Sequence, residues 1–445
     1  VNVLAKDKEG KDDRQKSIPT SRVGRLARVA RMAGGVAGGM LAEGTRQLRA
    51  GNRLKARDLL LTPANARRVA DQLATMRGAA MKVGQILSMD TGDFLPRELA
   101  EILARLRSDA HYMPTQQLHK VMADAYGPDW EQLFYGFETK PLAAASIGQV
   151  HRTLAPDGRE IVLKVQYPGV AASIDSDVDN IAALLRMSGL LPSELDIRPL
   201  LKDAKHQLKD EADYHKEAQF LQAFGELLRD DERFLVPEVL PDLTRRTVLA
   251  MTYVSGKPIE TIVELPQAER DRVMTALVEL MFRELFELRM VQTDPNFANY
   301  QYRSATGQIV LLDFGATRRF KAAFANGYRK LLAAALTEDE DKLVAAAERI
   351  GYAMGDEDSE YRALVLQLFL LALEPLRHEG SYDFGRSDMA RRMSLLAEQV
   401  ADFRDFWRAP PTDAMYFHRK LGGMFLLASR VKARVDVNRL VRQFI

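Results

Sequence analysis

Three side chains in the second half of the chain carry the clearest chemistry: Asp294, Asn299 and Asp313. Asp294 and Asn299 lie five residues apart within Gln292-Thr-Asp-Pro-Asn-Phe-Ala-Asn-Tyr300. Asp313 follows a short apolar run and heads Asp313-Phe-Gly315. A hard divalent cation such as Mg²⁺ takes oxygen ligands from one or two side chains and fills its remaining positions with phosphates. Asn299 and Asp313 on adjacent loops meet that need, which leaves Asp294 to orient or deprotonate an acceptor. Phosphoryl transfer asks little covalent chemistry of a protein, but it does ask for positioning and neutralised charge. Asp-Phe-Gly alone is a weak signal; the upstream Asp and Asn at this spacing give it weight. The bland alternative is a pair of loop carboxylates that cap helices.

A second element is Lys164 in Val162-Leu-Lys164. A lysine on a strand can reach the α- and β-phosphates of a nucleotide when a helix glutamate holds it, although a lone strand lysine is more often a solvated edge residue. The run Pro141–His151 precedes it and reads Pro-Leu-Ala-Ala-Ala-Ser-Ile-Gly-Gln-Val-His. A loop covering phosphates normally carries glycines, so that backbone N–H groups approach closely. Ala143, Ala144 and Ala145 stand there instead, followed by Ser146, which implies a stiffer loop and an altered nucleotide preference.

These residues need elements to position them. Ser146–Thr153 and Ile161–Gln166 read as strands joined by Ala-Pro-Asp-Gly-Arg, where Pro presets φ and Gly supplies a positive φ; the pair is a hairpin. Residues 174–190, 198–228 and 266–290 read as helices, and Val248–Tyr253 and Ile309–Leu312 as strands. Nearly everything after Lys321 reads as helical, with a break at Pro410-Pro411. Residues 64–126 also carry helical periodicity. The expected organisation is a disordered basic arm (1–20), a helical extension (21–138), a small β-rich lobe (139–253) and a large helical lobe (254–445), an α+β architecture.

Composition narrows the rest. With 445 residues, 47% hydrophobic and 28% charged, the chain is an ordinary globular protein of two to three domains. It contains no cysteine, so no disulfide, no Cys metal site and no Cys nucleophile exist. Net charge is +2, yet residues 1–60 carry +8 and the remainder −6. Arg22, Arg25, Arg28 and Arg31 fall on one face of a helix whose other face is apolar, which suits an anionic membrane surface or docking on the protein itself. The Ala33-Gly-Gly-Val-Ala-Gly-Gly39 run that follows permits close helix contact. No run reaches the ~20 apolar residues of a spanning helix, and the first 22 residues do not read as a secretory signal. No aromatic residue precedes Phe94, which argues against nucleic acid as partner of the arm.

Taken together, the motifs resemble the UbiB family of atypical kinases, bacterial and mitochondrial proteins tied to ubiquinone biosynthesis. The resemblance runs from about Met81 to Thr317. It rests on Lys82-Val-Gly-Gln85, Ala143–His151, Val162–Val170, Glu211–Ala218, Gln292–Tyr300 and Leu311–Gly315. It implies a bilobal protein kinase-like fold whose N-terminal helical extension packs over the active site and binds ATP or ADP with Mg²⁺. It implies Asp294 as the catalytic-loop aspartate, Asn299 and Asp313 as Mg²⁺ ligands, Lys164 as the phosphate-contacting lysine and Glu217 as its helix partner. Ala143–Ser146 would cover the nucleotide, while Met251, Tyr253 and Val254 would meet adenine. Lys82 and Gln85 belong to the extension, with Lys82 meeting the pair Glu211 and Asp213. On an ideal helix those two carboxylates are about 160° apart, so both reach Lys82 only if the helix is irregular. Asp213 and Glu217 would share a face.

Two departures from ordinary protein kinases are shared with the family: Gln-Thr precedes Asp294 where His-Arg is usual, and no Ala-Pro-Glu segment follows Asp313-Phe-Gly. Both argue against protein phosphorylation. The resemblance favours a branch without C-terminal membrane-spanning helices, cytoplasmic or on the matrix side of an organelle and peripheral to a membrane. The expected activity is ATP hydrolysis, or phosphorylation of a small molecule, in support of prenyl-quinone lipid metabolism. Expected partners are the nucleotide, an anionic membrane with prenyl-quinone intermediates, and quinone-biosynthesis enzymes. The alternative is a nucleotide-gated pseudokinase scaffold, and a small-molecule kinase of the aminoglycoside type ranks below both.

Overall fold

The computed structural model describes residue 79 and residues 112–187, 198–352, 359–402 and 411–445. The described residues group into two compact units, one containing 79, 112–187, 198–215 and 239–253, the other 216–238 and the described residues from 254 to 445.

The first unit starts with helix α1 (Thr115–Tyr126), entered from Pro114. Strands β1 (Ala143–Ala144), β2 (Gly148–Leu154) and β3 (Glu160–Gln166) follow, then helices α2 (Val170–Met187), α3 (Arg198–Glu211) and α4 (Tyr214–Leu227). Beyond β4 (Phe234–Leu235), strand β5 (Val248–Thr252) closes an antiparallel sheet of order β1-β2-β3-β5. The hairpin read from Pro-Asp-Gly is present: Gly158 has φ +85°, and the Ala155 N–H bonds the Arg159 carbonyl at 2.9 Å. Side chains alternate along β3. Ile161, Leu163 and Val165 join Leu118, Met122, Trp130 and Phe134 in one apolar core. Val162, Lys164 and Gln166 point to the other face and are buried too.

The second unit holds α4 from residue 216 onward, then β4, β6 (Lys257–Pro258) and α5 (Gln267–Arg283), which runs into a π-helical turn at Glu284–Leu288. Strands β7 (Met290–Gln292), β8 (Tyr300–Arg303), β9 (Gln308–Leu311) and β10 (Thr317–Arg319) come next. Helices α6 (Ala322–Thr337), α7 (Glu340–Arg349), α8 (Ser359–Ala372), α9 (Glu374–Arg377), α10 (Met389–Asp402) and α11 (Thr412–Arg430) complete the unit, with a short β11–β12 pair (Tyr382–Asp383, Arg434–Val435) and α12 (Val437–Val441). One face of α5 (Val273, Met274, Leu277, Met281) is fully buried. Among the described residues, no helix is long and apolar enough to cross a membrane.

The helix expected over 198–228 is two helices, broken at Ala212-Asp213. Two side chains make the break: Asp213 Oδ1 accepts from the His215 N–H at 3.1 Å, capping α4, and Gln166 Nε2 donates to the Ala212 carbonyl at 3.0 Å. Orphan donors and acceptors at the two helix ends are thereby satisfied. Asp213 therefore precedes α4 instead of sharing a helical face with Glu217. Strands β7, β8 and β10 were not legible from periodicity, because three or four residues are too few to show a period of two.

Candidate active site

Two loops of the second unit carry Asp294, Asn299 and Asp313, and strand pairing fixes them at both ends. On one side β7 pairs with β10, setting Gln292 opposite Thr317. On the other, β8 pairs with β9, setting Tyr300 opposite Leu311. Loop 293–299 and loop 312–316 are thus held side by side. Further bonds tie them together: the Thr293 N–H and hydroxyl both donate to the Ala316 carbonyl (3.2 and 2.7 Å), and the Leu312 N–H donates to the Asn299 carbonyl (3.0 Å). Asp294, Asn299 and Asp313, scattered over 20 residues of sequence, come to lie on these two adjoining loops.

Asp294 is partly buried and forms an ion pair with Arg419 of α11, Nη2 to Oδ1 3.1 Å. Asn299 ends a 3₁₀ turn (Phe297–Asn299); its Nδ2 is buried and makes no hydrogen bond among the described residues. Asp313 Oδ1 accepts from the Gly315 N–H at 3.0 Å. Phe314 is buried against Phe224 of α4, ring centroids 4.6 Å apart. Glu217 is buried in the first turn of α4. A Cβ at Gly315 would stand 3.3 Å from Asp313 Oδ1 and 3.4 Å from Glu217 Oε2, so the glycine keeps a close space between two carboxylates.

In the first unit Lys164 is buried mid-sheet, opposite Val150 and Leu249, and is no solvated edge residue. Its ammonium lies 5.5 Å from the ring centroid of Tyr214, within cation–π range. Ala143 and Ala144 form β1, and the Ala145 N–H bonds the Gly148 carbonyl at 2.9 Å, closing the alanine loop against its own strand. A Cβ at Gly148 would overlap the Val165 carbonyl oxygen and stand 2.8 Å from Tyr214 Oη. The glycine is there for close packing. Ser146 Oγ lies 3.4 Å from Glu211 Oε2. Glu211 is buried and Asp213 exposed, so the helix break separates this pair. Met251 is buried on β5, while Tyr253 and Val254 are half-buried on the segment after it. Lys82 and Gln85, the basic helix from Arg22 and the glycine run at 33–39 lie outside the described residues.

A family model for the ABC1 atypical kinase-like domain matches residues 105–347, more than half of the chain. The chain is 38% identical to the mitochondrial atypical kinase COQ8B of Rattus norvegicus over 424 residues, covering 95% of this chain and 80% of that one. The chain belongs to the ABC1 family of atypical kinases. Other members are the mitochondrial atypical kinase COQ8 of Saccharomyces cerevisiae (37% identical, 99% and 89% covered) and coq-8 of Caenorhabditis elegans (37% identical). The chain spans 96% of its own length but 58% of the worm protein's. Among solved structures, the Rv3197–erythromycin complex from Mycobacterium tuberculosis matches with a TM-score of 0.58 at 25% identity, over 85% of this chain and 96% of that one. The two units are accordingly the β-rich and helical lobes of a bilobal, α+β, kinase-like fold.

The donor set fits the nucleotide and Mg²⁺ expected in this family. The Asn299 Nδ2 is a buried donor that the described residues leave unsatisfied, which an acceptor such as a phosphate oxygen would meet, while the amide oxygen is the atom that could ligate Mg²⁺. Among the described residues, no group of three or more His, Asp or Glu could hold a metal by itself. Sequence reasoning missed Arg419 and Lys420. Lys420 is buried in contact with Glu284 (3.2 Å), Tyr300 Oη (2.9 Å) and Gln292 Oε1 (3.4 Å). Burial pushes Glu284 up to about 7. Burial pulls the Lys420 ammonium down, but Glu284 and Tyr300 outweigh it and raise Lys420 above its ordinary value. The signal was there: two adjacent cations after His418, directly ahead of the uncharged apolar run Leu421–Ala428.

Proposed function

We propose that this ABC1-family protein binds ATP with Mg²⁺ and transfers the terminal phosphoryl group to water or to a small molecule, in support of prenyl-quinone (ubiquinone) biosynthesis at a membrane surface. The observation that carries the reading is the pair of adjoining loops bearing Asp294, Asn299 and Asp313. Asn299 and Asp313 would hold Mg²⁺, which neutralises phosphate charge when bound. Asp294 accepts a hydrogen bond from the attacking water or hydroxyl and takes its proton at a carboxylate oxygen. Lys164 contacts the phosphates, and the Ala143–Ser146 loop limits how closely backbone N–H groups approach them. Glu217 acts as the helix partner of Lys164, and Met251, Tyr253 and Val254 meet the adenine. Lys82 and Gln85, with Glu211 and Asp213, restrict the acceptor to something smaller than a protein.

The test is phosphate release from MgATP by the purified protein, with and without anionic liposomes, beside Asp294→Asn. Turnover that rises on liposomes and disappears in the variant is the expected result. Nucleotide binding with no turnover above the variant would rule out transfer to water and leave a nucleotide-gated scaffold or a kinase whose small-molecule acceptor is missing from the assay.

A further inference from the structure

Helix α11 lies C-terminal to the segment matched by the kinase domain, yet one face of it meets the loop of Asp294 and strand β10, which follows the loop of Asp313. Asp413 pairs with Arg318 of β10 at 3.6 Å, and the same guanidinium stacks 4.0 Å over the Tyr416 ring. Arg419 holds Asp294. Lys420 bonds Tyr300 and Gln292, the residues at either end of the Asp294 loop. Gly423 faces Pro295, where a Cβ would overlap the proline ring and stand 3.2 Å from its Cα. Arg430 lies 6.0 Å over the Phe297 ring. At 3.6 residues per turn, positions 413, 416, 419, 420, 423 and 430 fall within about 120° of arc. The contacts are therefore one stripe along one helix face: four of the six residues reach the loop of Asp294 or its flanking strands, and the other two reach Arg318 of β10.

We infer that α11 is part of the catalytic centre, with Arg419 the positioning residue that aims the Asp294 carboxylate and Lys420 and Gly423 seating the loop that carries it. This deepens the proposed phosphoryl transfer and rests on it for the role of Asp294; the seating of the loop stands on geometry alone. The two residues before Asp294 are used for bracing: Gln292 meets Lys420 and Thr293 bonds Ala316. The orienting cation comes instead from 125 residues downstream. A buried guanidinium fixes direction better than a lysine, since its planar fork is pre-organised.

The test uses the full chain in four forms: Arg419→Met, Arg419→Lys, Gly423→Ala and Arg419→Met with Asp294→Asn. Hydrogen exchange over residues 292–300 should speed up about tenfold or more in Arg419→Met and Gly423→Ala, while the β2–β3 hairpin stays protected as in the parent. The turnover number should fall on the order of 10²-fold with KM for MgATP little changed, because the fault is misplacement and not binding. Arg419→Lys should recover part of the loss. The double variant should be no slower than Asp294→Asn alone, as two residues acting through one group require. Unchanged exchange over 292–300 in both variants would overturn the inference, as would a double variant slowed by the product of the single effects. If the parent shows no turnover, transfer to water fails as the proposed function, and the exchange measurement alone decides whether α11 seats the loop.

Discussion

Lowering the pH from 7.5 to 5 should weaken the β-rich unit through His151. This histidine is fully buried on β2 and stacked on Phe137, with ring centroids 5.2 Å apart. Its two nitrogens are committed: Nδ1 lies 2.7 Å from the Glu138 carbonyl, and Nε2 lies 2.8 Å from Gln149 Nε2. Gln149 Oε1 in turn accepts from the Met113 N–H at 2.9 Å. The amide must therefore donate to Nε2, so the ring is neutral with its proton on Nδ1. Burial lowers the imidazole to about 4, against a smaller upward pull from the Glu138 carbonyl. The unfolded chain titrates near 6.5, so between the two values it binds more protons than the folded protein, and stability falls as pH falls through that window. The loss from this one group is about 1 kcal/mol at pH 5.5 and about 2 kcal/mol at pH 5. Urea unfolding followed by tryptophan fluorescence in a Trp407→Phe background reads it, because Trp130 packs on Phe137 in the same core. His418 in the helical unit is also held down to about 4 by burial, and it adds a slope of its own. The decisive comparison is thus with His151→Phe, which should be less stable at pH 7.5 yet lose about 2 kcal/mol less than the parent on going to pH 5. An identical slope in the variant would refute the buried neutral network.

Three further outcomes follow from the same geometry. Gly148→Ala should cost about 1–3 kcal/mol in thermal or urea unfolding, since the new Cβ meets the Val165 backbone and Tyr214; nucleotide affinity should drop with it because Lys164 lies on the neighbouring strand. Lys420→Met should cost about 3–5 kcal/mol by leaving Glu284 buried alone; because burial already pushes that carboxyl up to about 7, it takes up a proton more readily at pH 6 than at pH 8, so the loss is smaller at pH 6, and Glu284→Gln added to the variant should recover part of it. Asn299→Ala should raise the Mg²⁺ concentration needed for half-maximal turnover several-fold while leaving Mg²⁺-free ADP binding, measured by calorimetry, unchanged.

The legible part of this protein was local. The hairpin announced itself because Pro-Asp-Gly specifies a turn by backbone geometry, and the two loops because acidic and amide residues at short spacing flank an apolar strand. The belonging to an atypical kinase family was legible in the motifs, and the family comparison bears it out. What could not be read is what depends on distant partners. Nothing near Ala212 in the sequence says that Gln166, 46 residues upstream, will accept the task of capping a broken helix. Nor does the motif Ala143–His151 say what its second half does: Gly148 serves close packing, and Gln149 and His151 serve a buried hydrogen-bond chain.

The two units solve the burial of polar groups in opposite ways. In the β-rich unit Gln149, His151 and the Met113 and Glu138 backbone groups form a chain of neutral donors and acceptors, each satisfied, at no electrostatic risk above pH 6.5. Around the Asp294 loop the groups are charged and paired: Arg419 with Asp294, Lys420 with Glu284. A buried ion pair is weak evidence for stability, because desolvation offsets the attraction. It does hold direction, since breaking one partner leaves a buried charge and the pair resists rearrangement. Arg419 fixes the direction of the Asp294 carboxylate, and Lys420 ties Gln292 and Tyr300 at the two ends of its loop, so both cations act from the one stripe of α11 that meets that loop and its flanking strands.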